Sequence, residues 1–61
     1  MTLDEAELGI GRLVIYYPGH GSSDEGVITS VGDSFVFVRY GSDIGSLATP
    51  AGKLRFSVEV G

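Results

Sequence analysis

The stretch GVITSVGDSFVFVRY, residues 26–40, decides the fold. Two runs rich in β-branched and aromatic residues flank Gly32-Asp33, and residues of these types are enriched in strands. A two-residue connection that begins with glycine fits a type II′ turn, whose twist matches that of the strands it joins. The stretch therefore predicts a β-hairpin with strands over 26–31 and 34–40.

Three further strands are predicted around this hairpin, because glycine and proline separate the remaining apolar runs. They cover residues 12–17, 46–48 and 53–60. Pro18-Gly19 suits a type II turn after the first of them, and residues 20–25 form a polar loop. A second loop covers 41–45. Before the last strand, Thr49-Pro50-Ala51-Gly52 predicts one helical turn, with Thr49 as its cap.

The N-terminal residues match a helix-start pattern. Thr2-Leu3-Asp4-Glu5 is a capping box, in which the Thr2 hydroxyl accepts from the Glu5 N–H and the Glu5 carboxylate accepts from the Thr2 N–H. Leu3 and Leu8 would pack this turn against an open end of the small barrel that the five predicted strands would form. A frayed N-terminus stays open as the alternative, because short isolated helices are unstable in water.

Length and composition limit the chemistry. The chain has 61 residues, no Cys and a single His, His20. Disulfides and cysteine-based zinc sites are excluded, and one imidazole does not build a metal site, so we expect neither metal nor cofactor. We expect one domain over 1–61, with a cap at 1–10 and a five-stranded barrel at 11–60. Because so small a domain is marginally stable, self-association is the remaining way to stabilise it.

The net charge of −4 argues against a protein that grips phosphate backbones, which needs clustered Lys and Arg. The sequence has no apolar run of the roughly 20 residues that a membrane helix requires. The absence of Cys fits a cytoplasmic protein. We therefore expect no membrane association and no strong nucleic-acid binding.

Two of the predicted strands are apolar on both faces. Leu13-Val14-Ile15-Tyr16-Tyr17 and Phe35-Val36-Phe37-Val38 do not alternate with polar residues. A barrel of this size has one interior, so one face of each strand would carry large apolar side chains outside it, and such patches mark interfaces. Coverage by the N-terminal cap and the loops is the alternative. The predicted contact residues are Tyr17, Phe35, Phe37 and Tyr40.

These elements resemble known small barrels. Gly11-x-x-Val14-x-Tyr16, Glu25-Gly26-Val27-Ile28, Phe37-Val38-Arg39-Tyr40-Gly41-Ser42 and Lys53-Leu54-Arg55 look like the Tudor and KOW group of SH3-like barrels. The resemblance implies a five-stranded SH3-like barrel with a short N-terminal helical turn and a 3-10 turn before the last strand. The segments 25–31 and 35–41 also look like small phage and prophage proteins, which implies a host cytoplasm as the setting.

The Tudor and KOW resemblances imply two binding activities. Tudor domains hold methylated side chains in an aromatic cage, and Phe37 and Tyr40 fall on two cage positions. Pro18 and Asp24 stand where further cage aromatics are expected, so we do not expect a reader of methyl marks. KOW domains contact RNA. A nucleic-acid-associated domain is therefore the alternative, and its candidate contacts are Arg12, Arg39, Lys53 and Arg55.

A further resemblance supplies an enzyme hypothesis. Gly45-Ser46-Leu47-Ala48-Thr49-Pro50 followed by Leu54-Arg55 is similar to the active-site segment of plasmid-borne type II dihydrofolate reductases. Those are tetramers of SH3-like subunits, which agrees with self-association. Ala48 replaces the glutamine whose amide holds folate and the nicotinamide cofactor. An alanine methyl group does not supply that contact, so we expect no reductase activity.

No catalytic group is predicted. Asp24-Glu25 lies on a predicted loop, where neighbouring carboxylates are hydrated instead of sharing a dry site. His20 is surrounded by Gly19 and Gly21, which hold an imidazole poorly for acid–base work. The sequence thus predicts a small non-catalytic interaction module that binds protein and self-associates, without catalytic or metal-ligating residues.

Overall fold

The computed structural model describes residues 1–19, 21–41 and 44–57. Its elements are α1 (Leu3–Leu8), β1 (Leu13–Tyr16), β2 (Asp24–Val31), β3 (Val36–Tyr40), β4 (Leu47–Thr49), a 3-10 turn (Ala51–Lys53) and β5 (Leu54–Phe56). The strands form one five-stranded antiparallel sheet in the order β4-β3-β2-β1-β5. The prediction of an all-β chain with a short N-terminal helix and a 3-10 turn before the last strand is confirmed.

The sheet is strongly curved, because a short connection joins its two outer strands. In a flat sheet, β4 and β5 would lie four strand spacings apart, which is about 19 Å. Only residues 50–53 separate Thr49 at the end of β4 from Leu54 at the start of β5, and three of them are in the 3-10 turn. With a rise of about 2 Å per residue, this connection spans about 10 Å. The sheet must therefore bend until its edges approach each other.

The turn of the β2–β3 hairpin differs from the predicted one. Val31 pairs with Val36, and the Gly32 N–H donates to the Phe35 carbonyl at 2.8 Å, so Asp33-Ser34 form the tip. A type II′ turn needs a positive φ at its first central residue. Among the described glycines, positive φ occurs at Gly11, Gly19, Gly21 and Gly41, and Gly32 is not one of them. The hairpin is confirmed, but the Gly32-Asp33 type II′ turn is wrong by one residue.

A β-bulge interrupts β2 at Thr29. Ile28 pairs with Val38 and Ser30 pairs with Phe37, so Thr29 has no partner residue on β3. Its hydroxyl donates to the Phe37 carbonyl at 3.1 Å and lies 2.6 Å from the Ser46 hydroxyl. Bulges bend a strand and increase its twist. This one therefore contributes to the curvature that brings the sheet edges together.

One face of the sheet is buried and is called the inner face below. It carries the core residues Val14, Ile28, Val36, Val38 and Leu54. Each has no more than 1% of its surface exposed. The opposite, outer face carries Leu13, Ile15, Val27 and Phe37, which are the alternate positions of the same strands.

Helix α1 packs against the core. The capping box is confirmed: the Thr2 Oγ1 accepts from the Glu5 N–H at 3.1 Å, and the Glu5 Oε1 accepts from the Thr2 N–H at 2.9 Å. Ala6 is fully buried, and the Met1 ammonium donates to the carbonyls of Ala51 and Leu54 at 3.0 Å each. The N-terminal turn is thus ordered, and the frayed alternative is not what the structure has.

Leu8 does not contribute to this packing. Its side chain is 89% exposed at the end of α1, while Leu3 packs against the core as predicted. The helix is six residues long, so only one narrow stripe of it reaches the sheet. The prediction that Leu8 covers the barrel end is wrong.

Several predicted boundaries also shift. The loop predicted over 20–25 is too long, because Asp24 and Glu25 are the first residues of β2. Thr49 belongs to β4 instead of capping a helical turn, and Pro50 precedes the 3-10 turn without a side-chain cap. Lys53 lies in the 3-10 turn instead of β5. The predicted strand positions 58–60 and the predicted surface residue His20 lie outside the described residues.

Candidate binding surfaces

The four predicted contact residues do not form one patch. Tyr17 and Phe35 are 44% and 46% exposed, as expected for contact residues. They lie at opposite ends of β2. Tyr17 follows Tyr16, which pairs with Asp24 at the start of β2. Phe35 lies at the other end, where its carbonyl accepts from Gly32, the residue after Val31.

Phe37 and Tyr40 are also separated, because they lie three residues apart on β3 and therefore on opposite faces. Phe37 is on the outer face and half-buried beside Ala48 of β4. Tyr40 is on the inner side, where its ring lies against that of Tyr16. The two aromatic rings do not share one cage.

The structure instead brings Tyr40 together with Tyr16 and Asp24, which were not among the predicted contact residues. The ring centroids of Tyr16 and Tyr40 lie 6.3 Å apart with planes inclined at 57°. Tyr16 pairs with Asp24 on β2, which places that carboxylate at the same end of the sheet. An open groove of about 410 Å³ is lined by Tyr16, Asp24, Tyr40, Leu47, Ala48, Thr49 and Pro50. We call it the tyrosine groove.

Hydrogen bonding fixes one wall of the tyrosine groove. The Tyr40 hydroxyl and the Thr49 Oγ1 lie 2.8 Å apart, and the Thr49 Oγ1 donates to the Leu47 carbonyl at 3.3 Å. Either hydroxyl can act as the donor in the Tyr40–Thr49 hydrogen bond. Thr49 is 3% exposed and is therefore held by the surrounding packing. Its hydrogen bond with the Tyr40 hydroxyl fixes the orientation of the Tyr40 ring in the groove.

The tyrosine groove favours the neutral form of the Tyr40 phenol and a positively charged ligand. Burial raises the pKa of Tyr40, and Tyr16 and the carboxylate of Asp24 add smaller contributions in the same direction, while the hydrogen bond with Thr49 only partly opposes this. No Lys or Arg is among the described residues that line the groove. The Asp24 charge therefore has no cation beside it within the groove lining.

The four predicted basic contacts also divide. Lys53 and Arg55 line a second open groove of about 420 Å³ with Tyr17 and Gly52. The Arg55 guanidinium lies 5.7 Å from the Tyr17 ring centroid. Arg12 lies 4.4 Å from the Phe56 ring centroid, and Arg39 is on β3, three strands away from Arg55. Only two of the four form a local basic patch.

Neither adjacent acidic residue supports catalytic pairing. Asp24 and Glu25 are consecutive in β2, so their side chains leave opposite faces of the sheet. Within residues 1–19, 21–41 and 44–57, no three His, Cys, Asp or Glu side chains are grouped closely enough to hold a metal ion. Over the same ranges, no helix has the length and apolar character needed to span a membrane.

The sequence could have revealed part of the tyrosine groove. Val14 and Tyr16 are alternate residues of one strand, so a buried Val14 implies that Tyr16 leans inward. The position of Asp24 opposite Tyr16 depends on where β2 begins, and the polar composition of residues 20–25 hid that start.

Comparison with known proteins finds no matching family model, no matching curated protein and no matching solved structure. The resemblances to Tudor and KOW domains, to phage proteins and to type II dihydrofolate reductases therefore stay predictions.

Proposed function

We propose that this chain is a small non-catalytic interaction module that binds a partner protein through the tyrosine groove and also self-associates. The observation that carries the first part is the open groove in which two tyrosine rings meet beside the carboxylate of Asp24. Its volume of about 410 Å³ falls within the range of ligand sites.

The chemistry of the groove favours a basic side chain of the partner. The faces of aromatic rings attract cations, with about 0.5–1 kcal/mol for an exposed pair and more when it is desolvated. Asp24 adds a full negative charge at the same end of the sheet. Leu47 and Pro50 offer apolar surface for the aliphatic part of a lysine or arginine. We therefore assign the groove to an extended protein segment that contains Lys or Arg.

An array of short random peptides, probed with the purified chain, tests this function. We expect the bound peptides to be enriched in Arg or Lys, and we expect the D24N variant to lose that enrichment because the carboxylate is removed at constant shape. D33N is the matched control, since Asp33 is an exposed acid at the tip of the β2–β3 turn. Bound peptides without enrichment in basic residues, or equal losses in D24N and D33N, would overturn the proposal.

A nucleic-acid-associated domain is the second candidate, and the groove lined by Tyr17, Lys53 and Arg55 favours it. An aromatic ring beside two cations is the arrangement that stacks a base and neutralises phosphate. Binding to single-stranded oligonucleotides should then weaken with added salt and should be lost in a K53A/R55A variant. Lack of retention at low ionic strength excludes this candidate, as does equal binding by R39A and K53A/R55A.

A further inference from the structure

A cross-strand row on the outer face has opposite charges on its two sides. Ile15 of β1 pairs with Glu25 of β2 on one side and with Arg55 of β5 on the other. Glu25 and Arg55 are both exposed, and Ile15 is half-buried between them. Each charged residue lies one strand spacing, about 4.8 Å, from the strand that carries Ile15.

The same strand supplies an apolar stripe through the centre of this row. Leu13, Ile15 and Tyr17 are alternate residues and share the outer face, and Leu13 and Tyr17 are 38% and 44% exposed. Val27 lies beside Leu13 on β2. The described part of helix α1 packs on the core side through Ala6, so it does not roof this stripe.

We propose that this face docks a second copy of the chain, with β1 packed on β1 about a two-fold axis that runs parallel to the strands. This inference rests on the self-association proposed above and names its surface. The rotation places Ile15 over Ile15. It exchanges the two sides of the row, so Glu25 of one copy meets Arg55 of the second copy, and the pair forms twice.

The charges favour a second copy over an unrelated partner because the row is complementary to itself. Two other cations share this face, and the rotation does not bring either of them onto another cation. Arg39 lies two strands from β1 beside Val27, and the rotation carries it past the edge strand β5. Lys53 lies beside Tyr17, and it is carried past the end of β2. The overall charge of −4 opposes association, and the two ion pairs locally offset that repulsion.

The curvature of the sheet sets the strength of this dimer. Two outer faces that curve away from each other touch along β1 and its two neighbours only. The buried surface therefore falls below about 1,200 Å², a size typical of weak complexes. We expect dissociation constants in the micromolar range, with dimers at high protein concentration and monomers on dilution.

Exchange of the two charges tests the interface. Alone, E25R places only cations on the row and R55E places only anions, so each variant should sediment as a monomer at concentrations where the original chain is dimeric. An equimolar mixture of E25R and R55E restores both ion pairs and should form a one-to-one dimer with an affinity within about tenfold of the original. The double variant E25R/R55E should again form homodimers. R39E is the control and should dimerise normally.

Three results would overturn the interface: an original chain that stays monomeric at high micromolar concentration, single variants that dimerise as well as the original, or a mixture that stays monomeric. Circular dichroism checks that each variant is folded, and both positions are exposed, so little stability should be lost. The peptide array separates this failure from that of the tyrosine groove. Monomeric E25R should keep its preference for basic peptides, because Glu25 is on the outer face.

Discussion

Tyr16 and Tyr17 are neighbours in the chain, yet they face opposite sides of the sheet and have opposite electrostatic surroundings. Tyr16 lies beside Tyr40 and the carboxylate of Asp24. Tyr17 lies beside Lys53 and Arg55. The alternation of a strand thus turns one apolar run into two surfaces of different chemistry. Folding buries most of the inner face, whereas the outer face keeps exposed apolar side chains such as Leu13 and Tyr17.

The largest expected effect comes from removing the same side chain from each face. Ile28 is 1% exposed on the inner face, and the I28A variant should lose about 2–5 kcal/mol of unfolding free energy. Ile15 is half-buried on the outer face, and I15A should lose less than about 1 kcal/mol in the monomer. Urea unfolding at low protein concentration measures both. Equal losses would mean that the two faces are not different in burial.

At high protein concentration the same pair sharpens the comparison. I15A should weaken self-association, because Ile15 is the centre of the proposed contact. If I15A is more stable than I28A but dimerises less than the original chain, association and folding depend on different faces of the sheet.

Glycine positions test how closely the inner face is packed. A Cβ on Gly26 would lie 2.5 Å from Val38 Cγ1 and 2.8 Å from the Arg39 carbonyl oxygen. G26A should therefore cost about 1–3 kcal/mol, since backbone must move to admit the methyl group. A Cβ on Gly52 meets nothing within 4 Å, and G52A should change the unfolding free energy by less than about 0.5 kcal/mol. A mild effect of G26A would contradict the close approach of β2 and β3.

The strand pattern predicted most of this fold, but not its connections. The placement of β-branched residues, glycine and proline was enough for the hairpin and for the approximate strand positions, because it depends on neighbouring residues only. The bulge at Thr29 was missed because its cause is not local: the hydroxyl bonds to Phe37 and approaches Ser46 of distant segments. Thr49 was predicted to cap a turn for the same reason, since its partner Tyr40 lies on another strand.

The candidate binding surfaces were less predictable than the fold. Exposure of Tyr17 and Phe35 followed from the pattern, but their separation depends on the strand register. The tyrosine groove needs three strands and the curvature of the sheet to assemble, and no single segment indicates it. Residues that share a face are readable from sequence, whereas residues that share a groove require the pairing of the strands.

Removing one hydroxyl group from the inner-face Tyr40 or from the outer-face Tyr17 should have a smaller effect on stability. The Tyr40 hydroxyl bonds to the buried Thr49, so Y40F should lose about 1 kcal/mol of unfolding free energy. Y17F should lose almost none. Because the pKa of Tyr40 is raised above 10.0 in the folded chain, its contribution is complete below that pH and is lost as the pH rises further. In urea unfolding at alkaline pH, the original chain and Y17F should lose unfolding free energy as the pH rises, and Y40F should not show this loss.

The smallest effect concerns the helix that covers the inner side. Hydrogen bonds from the Thr2 backbone and side chain lower the pKa of Glu5 below 4.5, so its carboxylate stabilises α1 fully above that pH and progressively less as the pH falls. E5Q keeps an acceptor for the Thr2 N–H but does not titrate. Its unfolding free energy should therefore fall less than that of the original chain as the pH is lowered below 4.5.

E7Q is the matched control for this test, because Glu7 is on the same helix outside the capping box. Urea midpoints measured across the acid range should separate E5Q from both E7Q and the original chain. The proposed dimer through β1 should respond equally in E5Q and E7Q, because α1 packs against the core on the other side of the sheet. A change in association specific to E5Q would instead show that the helix and the outer face are coupled, and that the inner and outer surfaces do not act separately.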